Sequence, residues 1–154
     1  MFRHCVWFLL KETHGINNGI VSYASLLNTA TFHAHVTIQS GLSKEDAEEV
    51  CKRFRKAQKP FFSAHGWPKI SKTHFHNHYR TRELDFYAIE QPLNTNGIYV
   101  EDIHVSLAYS INRPFTQMEL AMAPYVERIY DHDTDVVVAN CESENPSEWY
   151  IEDI

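Results

Sequence analysis

Cysteine is scarce in this 154-residue chain: only Cys5, Cys51 and Cys141 occur. An odd number without close spacing excludes a disulfide framework and a Cys-x-x-Cys motif, and points to reduced thiols in a cytoplasmic setting. Long apolar runs are missing too. The run near the start, Val6 to Leu10 in "MFRHCVWFLLKE", is too short for a spanning helix and lacks a signal-peptide cleavage pattern, so it reads as a first strand and no membrane partner is expected. Positive charge is in deficit. Fourteen Lys and Arg against twenty Asp and Glu leave a net charge of −6 with histidines neutral. A long nucleic acid needs an extended basic face and is not an expected partner, whereas a small nucleotide needs only a local pocket. No stretch is low-complexity or linker-like. Residues 1–154 read as one domain, large enough to bury a core without staples.

Aromatics and histidines are plentiful: nine Phe, eight Tyr, three Trp and ten His. At mildly acidic pH the histidines would offset much of the negative charge.

Hydrophobic periodicity predicts an α+β fold. A helix is expected from about Asn18 to Thr29, carried by Ile20, Tyr23, Leu26 and Leu27. "GLSKEDAEEVCKRFRKAQKP" is the clearest helix, with Ser43 as N-cap, Asp46 three residues on, and Ala47, Val50, Cys51 and Phe54 on one face. From Pro60 to Gln91 the pattern favours strands, followed by a turn-rich "PLNTNG". Thr116 and Glu119 form a capping-box signal before "QMELAMAPYVERIY", which Pro124 is expected to kink or divide. "DVVVANCES" and "EWYIEDI" read as two closing strands.

The chemistry lies in two short strands. In "FHAHVTIQSG", Val36 and Ile38 alternate as a core face while His35 and Thr37 share the other. "DIHVSLAYS" repeats the pattern with His104 and Ser106 flanking Val105. If the two strands lie side by side, four polar side chains converge, and a buried polar group needs a partner. Two imidazoles across a gap suit in-line displacement at phosphorus. One takes a proton from the attacking hydroxyl or water, and the other gives a proton to the leaving oxygen. The hydroxyls of Thr37 and Ser106 can donate to non-bridging oxygens. No metal and no other cofactor is required.

His35-Val36-Thr37 and His104-Val105-Ser106 resemble the twin motifs of the two-histidine (2H) phosphoesterase superfamily. Its members include 2′,3′-cyclic nucleotide phosphodiesterases, bacterial RNA cyclic phosphodiesterases, viral 2′-5′ phosphodiesterases and phage nucleases that destroy cyclic oligonucleotide signals. The resemblance runs from "VWFLL" through "FHAHVTIQSGLSKEDAEE" and "IHVSLAYS" to "EWYIEDI". It looks most like the small plant and fungal cyclic phosphodiesterases, which also place a Trp in the first strand and another in the last. Many relatives have Pro before the first His, where this chain has Ala34. The resemblance implies a bilobed fold: two antiparallel sheets with pseudo-two-fold symmetry around a central groove, and helices packed outside. It implies His35 and His104 as the acid–base pair, in an order left open, with Thr37 and Ser106 on the phosphate.

Other residues have competing roles. His74, His76 and His78 in "KTHFHNHYR" share a face if extended, and alternating histidines can bind zinc. The outer two would stand ~13 Å apart at ~3.3 Å per residue, so one metal would take two of them. A polar surface strand is the plainer reading. In the superfamily this region can border the groove, where Lys72, Arg80 and Arg82 would help to hold a phosphate. Trp7, Tyr109 and Trp149 are candidates to stack a nucleobase. Phase places Trp7 and Tyr109 in the core; Trp149, which follows "ESENPSE", is evenly balanced between core packing and a groove rim. The acidic run "ESENPSEWYIED" reads as a solvated turn and tail.

The expected function is metal-independent hydrolysis of a small nucleotide phosphodiester, with a 2′,3′-cyclic phosphate preferred. Degradation of 2′-5′-linked or cyclic oligonucleotide immune signals is the second choice. A nucleotide- or RNA-end-binding module without catalysis is the third.

Overall fold

A computed structural model describes residues 2–77, 82–96 and 102–152. The order is β1 (His4–Leu10), α1 (Ile16–Leu27), β2 (His35–Leu42), α2 (Lys44–Lys56), β3 (Phe62–Ala64), β4 (Lys69–Asn77), β5 (Arg82–Thr95), β6 (His104–Ile111), α3 (Gln117–Ala121), β7 (Thr134–Asn140) and β8 (Tyr150–Glu152). The class is α+β, as the periodicity predicts.

The helices show why they start and stop. Ile16, Ile20, Tyr23, Ala24 and Leu27 make the buried stripe of α1, and Asn28 ends it in the left-handed region with its N–H on the Ala24 carbonyl. In α2, the Asp46 N–H donates to Ser43 Oγ at 3.1 Å. Acids fill its first turn and bases its last, complementing the helix dipole. Thr116 and Glu119 form a reciprocal capping box at α3. That helix stops at Ala121, so the segment expected to be kinked or divided by Pro124 keeps only a five-residue helix before the proline. Proline disfavours helical backbone at the residue before it, which ends the element early.

Among the described residues all strand pairings are antiparallel, and the strands follow one path, β3-β5-β6-β2-β1-β7-β8, with β4 also paired to β5. One connected sheet therefore stands where two were expected. The link at its middle is a single pair, Val36 with Val105. β5 also runs further than expected, through Pro92 to Thr95. Proline is tolerated because β4 pairs only as far as Glu90 and β3 only from Leu93, so the missing N–H falls in the gap between them.

The two faces of the sheet differ. Val6, Phe8, Val36, Val105, Leu107 and Val138 pack with α1 and α2 into the main core. The other face carries Cys5, Trp7, Phe86, Ala88 and Tyr109 in two smaller clusters, with Trp149 packed on both. His35 and Thr37 project into this second face.

Candidate active site

The Val36–Val105 pair sets the site. One step to either side, His35 stands opposite Ser106 and Thr37 opposite His104, all on the face away from the helices. These four side chains line a cavity of about 190 Å³.

Both imidazoles are anchored alike. His35 Nδ1 lies 2.7 Å from the His33 carbonyl, and His104 Nδ1 lies 2.7 Å from the Asp102 carbonyl. A carbonyl only accepts, so Nδ1 carries the hydrogen in each ring and Nε2 is left for chemistry. Asp102 reaches this position with φ 52, a left-handed backbone that aspartate tolerates better than most residues.

Their surroundings differ. His35 is 4% exposed and stacks on Trp7 with ring centroids 3.7 Å apart. Burial pushes its pKa down to about 4, against the opposing pull of the His33 carbonyl, and the nearby His104 and His33 push the same way as burial. The ring is thus neutral at neutral pH, with a lone pair on Nε2. His104 is more open, and its Nε2 lies 3.4 Å from Glu90 Oε1. Ser71 Oγ donates to that same carboxylate oxygen at 2.6 Å.

Hydroxyls dominate the rest of the polar lining. Thr37, Ser40, Ser71, Thr73 and Ser106 all reach the cavity, and among the described residues no Lys or Arg does. Neutral donors can bind a singly charged phosphodiester without the strong pull that arginine exerts on a dianion.

Tyr109 departs from its expected place. Simple alternation puts it with Val105 in the core. Instead the β5–β6 register shifts between Ile89–Ala108 and Glu90–Ser106, which gives β6 one extra residue at Leu107. This β-bulge flips the faces beyond it, so Tyr109 joins Ser106 at the cavity. Burial holds its phenol pKa well above the ordinary range, against the opposing pull of the neighbouring Ser106 hydroxyl.

Trp7 is buried, as expected, but it also lines the site. Trp149 is half-buried, with Nε1 donating to the Ser143 carbonyl at 2.8 Å. Both rings also line an adjoining open cavity of about 690 Å³ bordered by Asn18, Thr31 and His33. Cys5 and Cys141 line the smaller cavity as thiols hydrogen-bonded to each other, which holds Cys5 below and Cys141 above the usual thiol range.

Lys72 is not brought to the site. It alternates with Ser71 and Thr73, so it faces the opposite side of the sheet, 3.7 Å from Asp85 and over the Tyr87 ring. His74 shares that side, with Nδ1 2.7 Å from Asp85. Arg80 and His78, and the side chains of His76 and Arg82, lie outside the described residues. Among the described residues no cluster of three or more His, Cys, Asp or Glu is arranged to hold a metal ion. Nor is any described helix long and apolar enough to cross a membrane. The acidic run is partly structural: Glu152 pairs with His4 at 3.2 Å and Lys44 at 3.6 Å, and Glu148 accepts from Ser143.

Sequence reasoning missed Glu90, Ser71 and Thr73. A signal existed for each. Glu90 continues the Leu84, Phe86, Ala88 stripe as its one charged member. Ser71 and Thr73 occupy the face of β4 that Lys72 and His74 leave. Compared with known proteins, the chain matches no family model and no curated protein.

Proposed function

We propose that this chain is a metal-independent phosphodiesterase that hydrolyses a small nucleotide phosphodiester, a 2′,3′-cyclic phosphate by preference, through His35 and His104. The matched anchoring of the two imidazoles carries this reading. Each ring gives its Nδ1–H to a carbonyl two residues upstream at 2.7 Å and keeps Nε2 for proton transfer. Diagonal positions on neighbouring strands stand ~7 Å apart at Cβ, which leaves room for one phosphate between the rings. Thr37 and Ser106 supply donors to its non-bridging oxygens. The two-lobed 2H architecture is part of the same reading: within the single sheet, it takes β1, β2, β7 and β8 as one half and β3 to β6 as the other, with the groove where β2 meets β6.

One observation favours the second reading, a larger signalling nucleotide. Ligand pockets usually span about 300–1,000 Å³. The catalytic cavity, at about 190 Å³, has room for a phosphate and its sugar. The adjoining cavity of about 690 Å³ shares Trp7 and Trp149 with it and could take a further nucleoside.

The test is turnover in excess chelator of three probes: a nucleoside 2′,3′-cyclic phosphate, a 2′-5′-linked oligoadenylate and a mixed-linkage cyclic dinucleotide. Hydrolysis of at least one is expected, and the best substrate separates the two readings. Binding without turnover would make the chain a nucleotide-binding module. Activity abolished by chelator would move the search to His74, His76 and His78.

A further inference from the structure

The local two-fold that exchanges His35 with His104 and Thr37 with Ser106 also exchanges the outer neighbours of the two strands. On one side β1 places Trp7 opposite Thr37. On the other, β5 places Glu90 opposite Ser106. An aromatic ring and a carboxylate thus hold equivalent positions beside equivalent histidines. Trp7 covers the face of His35 at 3.7 Å, and Glu90 meets Nε2 of His104 at 3.4 Å.

We propose that Glu90 is a positioning residue that makes His104 the proton donor of the pair and leaves His35 as the proton acceptor. This rests on the phosphodiesterase reading and deepens it. An ionised carboxylate only accepts hydrogen bonds, as does the Asp102 carbonyl at Nδ1. Each nitrogen of His104 therefore has an acceptor beside it, a setting that suits a ring giving a proton from Nε2. Ser71 cannot stand in as donor to Nε2, because its hydroxyl is committed to Glu90 Oε1 at 2.6 Å. That bond also fixes the carboxylate's orientation. His35 has the reverse setting. Its neighbours are the rings of Trp7, Phe32 and Trp149, and burial keeps its Nε2 unprotonated.

The step balances as follows. A water oxygen forms a bond to phosphorus and gives one proton to His35 Nε2. The bond from phosphorus to the leaving oxygen breaks, and its electron pair stays on that oxygen. His104 Nε2 supplies the proton that neutralises it. Glu90 keeps its charge throughout, and solvent returns the proton from His35 to His104.

Leaving-group dependence tests the assignment. A nucleoside 2′,3′-cyclic phosphate expels an alkoxide that needs a proton, whereas a nucleoside p-nitrophenyl phosphate expels a stable phenolate that does not. Glu90→Gln, which keeps an oxygen for the Ser71 hydroxyl, is expected to lose roughly tenfold or more on the cyclic phosphate and little on the p-nitrophenyl ester. His104→Ala should show the same selectivity more strongly, at about 10²-fold or beyond. His35→Ala should be impaired on both. A merely structural role for Glu90 would lower both rates equally, and that result, or no change in either, overturns the proposal. So would selective rescue of His35→Ala, or a p-nitrophenyl ester that His104→Ala fails to cleave. Wild type that cleaves neither diester removes the phosphodiesterase reading itself, which the wild-type arm reports separately.

Discussion

Trp7 and Glu90 stand at equivalent places on the two sides of the candidate site, one on the strand outside His35 and the other on the strand outside His104. Two histidines with the same anchoring consequently meet different surroundings. The aromatic side is buried and disfavours a charged ring. The carboxylate side is more open and polar.

The depressed pKa of His35 makes folding stability depend on pH. Its folded value of about 4 lies below the ordinary 6.5, so the unfolded chain binds more protons between these values. The contribution is full above pH ~6.5 and is lost as pH falls through ~4, amounting to about 3 kcal/mol. Urea unfolding of wild type and His35→Gln across that range should show the wild type losing stability more steeply. Parallel pH dependences would mean that His35 is not held neutral by the fold.

Tyr109→Phe removes the hydroxyl beside Ser106 and keeps the ring in its cluster with Phe32, Phe86 and Trp149. Stability should fall by only about 1 kcal/mol, the worth of an ordinary hydrogen bond. If Ser106 holds the phosphate as proposed, the turnover number should fall more than that loss of stability explains, because its hydroxyl loses a polar neighbour. An unchanged turnover number would place Tyr109 outside the site's working parts.

Thr37→Val and Ser106→Ala each delete one cavity hydroxyl that the phosphodiesterase reading assigns to the phosphate. Removing such a donor costs about 10²-fold or more in turnover where charge develops on the oxygen it faces. The fall should appear mainly in kcat, with circular dichroism unchanged. A change confined to KM would show that the hydroxyl binds ground state and transition state alike.

Lys72→Met should leave kcat/KM within about twofold, because the side chain lies across the sheet from the cavity and pairs with Asp85. A large loss would require the ammonium to reach the phosphate in solution.

Much of this arrangement is legible in sequence because strand alternation has a period of two. His35 with Thr37, and His104 with Ser106, follow from that period alone. Capping residues likewise announce α2 and α3 through Ser43 and Thr116. What fails is whatever breaks the period or depends on which strands are neighbours. The extra residue at Leu107 reverses the face of Tyr109, and nothing local in "HVSLAYS" marks it. Glu90 matters only because β5 lies beside β6, a pairing between distant segments. Lys72 fails for the opposite reason: its alternation was legible, but which face of β4 looks into the groove was not. Pro92 is a pairing effect as well, since proline fits inside β5 only because two different strands share that edge and leave a gap at this residue.

The most direct test is steady-state hydrolysis of the best of the three nucleotide probes, in excess chelator, by wild type, His35→Ala and His104→Ala. Two-histidine catalysis predicts that each substitution lowers turnover by about 10²-fold or more while the protein stays folded. Turnover indifferent to either substitution would contradict it.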